Sequence, residues 1–330
     1  MSSKSKVKLL VIILFLIIGF GNANLVAAQV ATKAVPKPIG VDSEAVKPTE
    51  RIPVAKTSDW YYERALIYYL QDQHGRANIE LYKALEQDPT NVNANYLLGL
   101  LFKERALWDD AFDTFFRVIG ASTIEHIPAR LELALASIKV EKYSVALLNL
   151  EKVVGLMKLD KSYKENIRQF RIDVANDKAK ADAKKKSKLD VKSLLENFTE
   201  EIYLILMDSP ATYRKFTIDL GLIDPIIYNE LAELYNEEEM EAKSLEILSQ
   251  VVSKRGGFSP SALAQVGAIY QQQNRNKEAL ATYEKVVTQL TLLGFSEKEG
   301  DFSTEEIEQL RTGKAPESNN KKTAKDSEKD

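Results

Sequence analysis

His74 and His126 are the only imidazoles in the chain, and cysteine is absent. Thiolate nucleophiles, disulfides and zinc sites built on cysteine are therefore excluded, and two histidines are too few for a His-rich metal site. Carboxylates are plentiful. The densest set, Glu237-Glu238-Glu239, sits where a turn is expected and needs only to be solvated. No GxxxxGK[ST] loop, GxGxxG fingerprint, HExxH helix or GxSxG elbow occurs, so phosphate cradles, dinucleotide folds, zinc proteases and serine hydrolases have no foothold. The sequence reads as a non-enzyme, with no catalytic residue, metal, cofactor or small-molecule substrate to name.

The elements that would position such residues are helices. Glycine (14) and proline (10) are scarce over 330 residues, 45% of them hydrophobic and 28% charged, a balance that suits helices better than turn-rich sheets. Between Ser58 and Leu293 a pattern recurs. Ala65 and Tyr68 stand three apart, and Ala77, Leu81 and Ala84 follow at spacings of four and three. Gly99, Phe102, Ala111, Phe115 and Val118 repeat the set 34 residues on. Ala134, Ser137, Ala146, Leu150 and Val153 form a third copy, Ala232, Tyr235, Ser244, Leu248 and Val251 a fourth, and Gly267, Tyr270, Ala279, Tyr283 and Val286 a fifth. Each copy predicts two short helices joined by a turn. Spacings of three and four put the set on one face of each helix, where small residues allow close approach. One pair cannot bury both stripes, whereas stacked pairs can. In this register His74 holds the place of Trp108 and Tyr143, a turn residue packing over the hairpin end. His126 precedes Ile127-Pro128 at a helix start.

These residues resemble the tetratricopeptide repeat family over roughly Ser58 to Lys158 and Pro225 to Leu293, with NANYLLGLLFKERALWDDAFDTFFRV the best match and Asp88-Pro89 the family's usual ending. The resemblance implies an all-α fold, an α-solenoid of helix-turn-helix repeats in two blocks, 58–158 and 225–311. It also implies a concave groove lined by the first helix of each pair. Tyr62, Leu66, Tyr69, Tyr96, Leu100, Leu131 and Leu135 should point into that groove as an apolar, tyrosine-bearing strip. The strip either takes a partner or is covered by the amphipathic stretch Val191–Met207 of the same chain. Some relatives clamp a C-terminal carboxylate with Lys, Arg and Asn. The matching places here hold Tyr62, Leu66, Leu97, Pro128 and Glu132, so that clamp is missing. In the second block the same face carries Asn229, Glu233, Asn236, Ala264, Ala268 and Gln271, polar and small.

The remainder divides by composition. Lys4, Lys6 and Lys8 precede the apolar run Leu9–Phe20, and Val26-Ala27-Ala28 follows: a signal peptide (1–28) cut after Ala28, too short in its core to span a bilayer. An uncleaved inner-membrane anchor is the competing reading. Residues 29–57 hold four prolines and read as a tether. The segment 159–224 reads as a Lys-rich helical linker or degenerate repeat: Lys178–Lys188 carries six lysines, a solvated linker or exposed helix, and Val191–Met207 and Ala211–Leu222, separated by Ser209-Pro210, form a degenerate pair bridging the two blocks. Asn197-Phe198-Thr199 is a sequon inside a helical stretch and carries little weight. Asp224-Pro225 and Ser259-Pro260 read as helix starts. Ser303-Thr304-Glu305-Glu306 is a capping box for a closing helix to about Arg311, and 312–330 lacks anything to bury.

Removing the three signal lysines takes the formal net charge from −3 to −6, which disfavours nucleic acid. A cysteine-free exported chain suits the bacterial periplasm or secretion from it. The expectation is therefore a protein-binding adaptor of the cell envelope, within a secretion, pilus, motility or assembly complex. A self-associating structural protein is one alternative. A cell-wall enzyme with carboxylates in 159–224 is the other.

Overall fold

The computed structural model describes residues 56–181 and 191–295; the readings on 1–55, 182–190 and 296–330, including the signal peptide, tether, capping box and tail, lie outside the described residues. Every regular element described is helical: α1 Ser58–Leu70, α2 His74–Gln87, α3 Val92–Glu104, α4 Trp108–Ala121, α5 Ile127–Lys139, α6 Tyr143–Leu156, α7 Lys161–Ala181, α8 Val191–Met207, α9 Pro210–Phe216, α10 Pro225–Glu237, α11 Glu241–Lys254, α12 Pro260–Gln272 and α13 Asn276–Leu292. None of these helices is long and apolar enough to cross a membrane.

The five repeats are five copies of one hairpin: α1–α2, α3–α4, α5–α6, α10–α11 and α12–α13. Their turns are identical in backbone. Asp72, Ala106, Glu141, Glu239 and Asn274 each adopt a left-handed conformation, with φ of 57, 57, 61, 57 and 58°. The next N–H then reaches back to the carbonyl at the repeat's aromatic position. Gln73 donates to Tyr68 O, Leu107 to Phe102 O, Lys142 to Ser137 O, Met240 to Tyr235 O and Arg275 to Tyr270 O, at 2.7 to 2.9 Å. This six-to-one bond closes the first helix. The second helices therefore start without a side-chain cap. The first helices start from open loops and use caps: Thr57 accepts from Trp60 N, Asn91 from Ala94 N, His126 from Ala129 N and Asp224 from Ile226 N.

The crossings inside the hairpins are tight. A methyl group built on Gly99 would lie 2.6 Å from Phe115, and one on Gly267 would lie 2.6 Å from Tyr283. Where the second helix carries an aromatic ring, the first carries glycine. Where it carries Leu81, Leu150 or Leu248, the first carries Ala65, Ala134 or Ala232, all sealed from solvent. The pairing conserves volume at the crossing. In the fourth hairpin Ser244 adds a hydrogen bond from its Oγ to Ala232 O, 2.8 Å.

The chain divides into two compact units. The sequence sets its blocks at 58–158 and 225–311, whereas compactness draws the line at Leu263, inside α12, so that α10–α11 belongs with α1–α9. In the larger unit the hairpins α1–α2, α3–α4 and α5–α6 stack in series as an α-solenoid, and α7 packs on α6. α8 lies against α5 and touches α7 through Phe198, whose ring meets Phe170 at 5.3 Å and Tyr163 at 5.9 Å. The helix expected over 211–222 is shorter. α9 ends at Phe216, a single 3₁₀ turn spans Ile218–Leu220, and Gly221 at φ 88° reverses the chain. Thr217 is the cause: its backbone leaves helical values at φ −127°, ψ −68°, while its hydroxyl bonds back to Tyr213 O. In the smaller unit α12 and α13 form the fifth hairpin, with Arg275 over the Tyr270 ring at 4.2 Å.

Candidate functional site

The first helices of the three stacked hairpins offer one common face, and that face is not open. Tyr62 and Leu66 are fully sealed, Leu131 is 2% and Tyr96 4% exposed; Tyr69, Leu100 and Leu135 are half-buried. Part of the face is met by the chain's own later helices: α8 packs on α5, and Asp224 at the start of α10 reaches Tyr62 of α1. α8 presents Val191, Leu195, Phe198, Ile202 and Leu206 inward, spaced four, three, four and four, the stripe of an amphipathic helix. Lys139 of α5 pairs with Glu196 of α8 at 2.8 Å. Covering these side chains removes large apolar area from water, and each such residue is worth roughly 1.5–3 kcal/mol when fully buried. That is the physical reason for the closure.

Further in, the covered face is polar. Tyr62 Oη donates to Asp224 Oδ1 at 3.2 Å across 162 residues of chain. Arg255, at the end of α11, pairs with Glu63 of α1 at 2.8 Å, and its guanidinium stands 5.7 Å from the Tyr62 ring centre. Tyr213 of α9 donates to Glu230 of α10 at 2.8 Å. Lys103 of α3 holds Glu132 of α5 at 2.6 Å. Tyr69 donates to Glu104 at 2.8 Å. Asp224 thus has two tasks, capping α10 and accepting from Tyr62.

Charge is not balanced here. Glu63 and Asp224 are sealed, and burial pushes the Glu63 carboxyl up to about 7 and the Asp224 carboxyl up to about 6. Arg255 opposes both shifts, and Tyr62 and the α10 amides also restrain Asp224. Burial, with Asp224 and Glu132 nearby, lifts Glu230 to about 7. Glu230 is half-buried, unlike the other two. The phenols of Tyr62, Tyr69, Tyr96, Tyr203 and Tyr213 all rise, chiefly through burial and then through these carboxylates. Five polar atoms here or nearby have no hydrogen-bond partner: Glu63 Oε2, Asp224 Oδ2, Arg255 Nε and both amide atoms of Asn229.

The histidines are structural. His74 opens α2, stacks on Tyr69 at 5.6 Å and sits 3.4 Å from Glu104, as its register with Trp108 and Tyr143 implies. His126 caps α5 through Nδ1, 3.1 Å from Ala129 N, and packs on Tyr96 at 4.8 Å. Burial, aided by Arg130, pushes its imidazole down to about 3, so it is neutral. Glu239 forms the fourth turn, with Glu237 and Glu238 beside it on the surface. Thr199 of the sequon is buried and bonds back to Leu195 O within α8. Among the described residues no group of three or more His, Asp or Glu is placed to hold a metal. A shallow depression of about 470 Å³ lies at the turns beside Trp108, Lys139 and Glu141.

The outer face contrasts with the inner. Ile79 and Tyr82 of α2, Phe116 of α4 and Leu148 of α6 are 49–62% exposed. Tyr82 and Phe116 occupy the same place in successive repeats, as do Ile79 and Leu148 two repeats apart.

No protein-family model matches the chain, and no curated protein matches it. Solved structures similar to it include MamA, 15% identical, TM-score 0.27, over 68% of this chain and 93% of that one. The tetratricopeptide domain of P58(IPK) is 11% identical, TM-score 0.33, over 78% and 66%. A tetratricopeptide repeat protein from Parabacteroides merdae ATCC 43184 is 14% identical, TM-score 0.30, over 78% and 98%. Over the described residues, five hairpins of one turn geometry and one crossing geometry make an all-α, tetratricopeptide-like repeat fold.

Proposed function

We propose that the chain is a non-enzymatic protein-binding adaptor of the bacterial cell envelope, exported by its N-terminal segment and released near Ala28. A repeat scaffold by itself implies binding rather than any one ligand. The observation that carries the reading is the occupancy of the first block's inner face. That face already holds an amphipathic helix, α8, so its shape and chemistry are those of a helix-docking surface. A partner segment engages its half-buried margin at Tyr69, Leu100 and Leu135, next to the sealed Tyr62, Leu66, Tyr96 and Leu131.

The test is photo-crosslinking in cells from probes at Leu100 and Leu135, compared with a probe at Leu148 on the outer face. Adducts to one envelope protein from the first two sites, lost in the folded Leu100→Glu/Leu135→Glu variant, support the reading. Adducts only from Leu148 move binding to the outer face. The N-terminus of the chain isolated from cells is expected to be Gln29; an intact Met1 would favour the anchored form.

The exposed outer residues favour a second reading, self-association. It predicts a solution mass that rises with concentration and falls in the Tyr82→Lys/Phe116→Lys variant.

A further inference from the structure

We propose that the contact joining α10–α11 to α1 is a pH-responsive latch over the inner face of the first block, closed in mild acid and loosened above neutrality. It deepens the adaptor reading as a control on its groove, but its test uses no partner and stands or falls separately.

The geometry comes first. Two long-range contacts tie the start of the unit to its end, Tyr62 Oη to Asp224 Oδ1 at 3.2 Å and Glu63 to Arg255 at 2.8 Å. Four carboxylates converge on the covered face: Glu63 on α1, Glu132 on α5, Asp224 at the cap of α10 and Glu230 on α10. Two cations face them, Arg255 just after α11 and Lys103 on α3, and Lys103 is taken by Glu132. Asp59 on α1 adds a further negative charge near Glu63. The remaining neighbours are the phenols Tyr62 and Tyr69 of α1, Tyr96 of α3, Tyr203 of α8 and Tyr213 of α9, which stay protonated. One guanidinium therefore serves Glu63 and Asp224 together, with Glu63 Oε2 and Asp224 Oδ2 left without a hydrogen bond. A buried carboxylate lacking a partner is costly, while its protonated form is not.

The sign follows. Burial raises the carboxyls of Glu63 and Asp224 to about 7 and about 6, so the closed state holds protons that the open state releases. The favourable contribution is complete below the ordinary carboxyl range and is lost as pH rises through about 6 to 7. Between its ordinary value and its raised value in the closed state each group lowers the closing constant by up to about tenfold per pH unit, and above the raised value the dependence is flat. The crossing of α3 with α4 is apolar, Gly99 against Phe115, so α4 should be indifferent to the change.

Hydrogen–deuterium exchange on the full chain tests this at about pH 5.5 and about pH 8.5, with each rate normalised to the chemical exchange rate at that pH. The expected result is a fall of at least about tenfold in the protection of α1 and α10 at the higher pH, with α4 unchanged. The Glu63→Gln/Asp224→Asn variant should keep protection in α1 and α10 at both pH values. The milder Glu230→Gln, which retains an acceptor for Tyr213, should reduce the pH response without abolishing it. Equal protection at both pH values in the wild type would overturn the latch. So would an undiminished response in Glu230→Gln together with the double variant, or a parallel loss in α4, which would mean global unfolding.

Discussion

The hairpin crossings and the covered inner face are built on opposite principles. At the crossings each side chain has a counterpart of matched volume. Gly99 admits Phe115 and Gly267 admits Tyr283, while alanine meets leucine in the others. These contacts lie within one repeat and are apolar, apart from the Ser244 hydroxyl on Ala232 O in the fourth. On the inner face the closing contacts cross 162 residues or more and run through buried charge, with donors and acceptors left over. The first kind of contact makes the repeats stable; the second makes the closure conditional. Local, repeated packing is cheap to specify because one solution serves five times, whereas a single long-range closure has to be met by whatever residues the two ends bring together.

Substitutions can break the comparison from either side. Arg255→Met strands Glu63 in a sealed site and should cost about 3–5 kcal/mol near neutral pH. The cost should shrink in mild acid, where Glu63 takes up a proton. Glu63→Leu/Arg255→Met, which removes both charges, should cost less than the single change. Urea unfolding at two pH values measures all three. Gly99→Ala should cost about 1–3 kcal/mol by forcing a methyl group against Phe115. Phe115→Leu in that background should recover much of the loss, because it recreates the alanine–leucine crossing of the other repeats; thermal unfolding of the pair and its singles gives the coupling. Asn91→Ala removes the cap that accepts from Ala94 N, and with it the amide's bonds to Ser58 and Asp59 of α1, and should cost about 1 kcal/mol, felt at the starts of α3 and α1. The smallest effect sharpens the picture of the turns. Glu141→Gly relieves a left-handed residue at φ 61° and should leave stability unchanged or raise it by up to about 1 kcal/mol.

The same contrast explains how much could be read from the chain. The repeats were legible because small–large–small spacings recur every 34 or 35 residues and each copy confirms the others. Val191–Met207 was legible as an amphipathic helix for the same reason, and so was its candidacy as the cover. The turns were partly hidden: a left-handed position normally advertises itself as glycine, and here it carries Asp, Ala, Glu, Glu and Asn. α7 was hidden as a whole, since a lysine-rich end masks the weak stripe of Ile167 and Phe170. The acid cluster left no local signal. Asp224 looks like any helix cap, Glu63 and Glu230 like surface carboxylates one place from a stripe residue, and Arg255 like a helix-end cation. Only the folded chain brings them together. Burial by a distant segment is a property of the whole unit and cannot be seen in the spacing of Tyr62 and Leu66.

The most direct test of the closure uses the absence of cysteine. Asp59→Cys on α1 and Lys254→Cys on α11 give one exposed thiol beside Glu63 and one beside Arg255. A short bifunctional maleimide should link residues 59 and 254 within one monomer, in high yield at about pH 6 and in lower yield above about pH 8. Modified thiols without an intramolecular link, or links found only between two chains, would contradict the account of an inner face closed by the chain's own later helices.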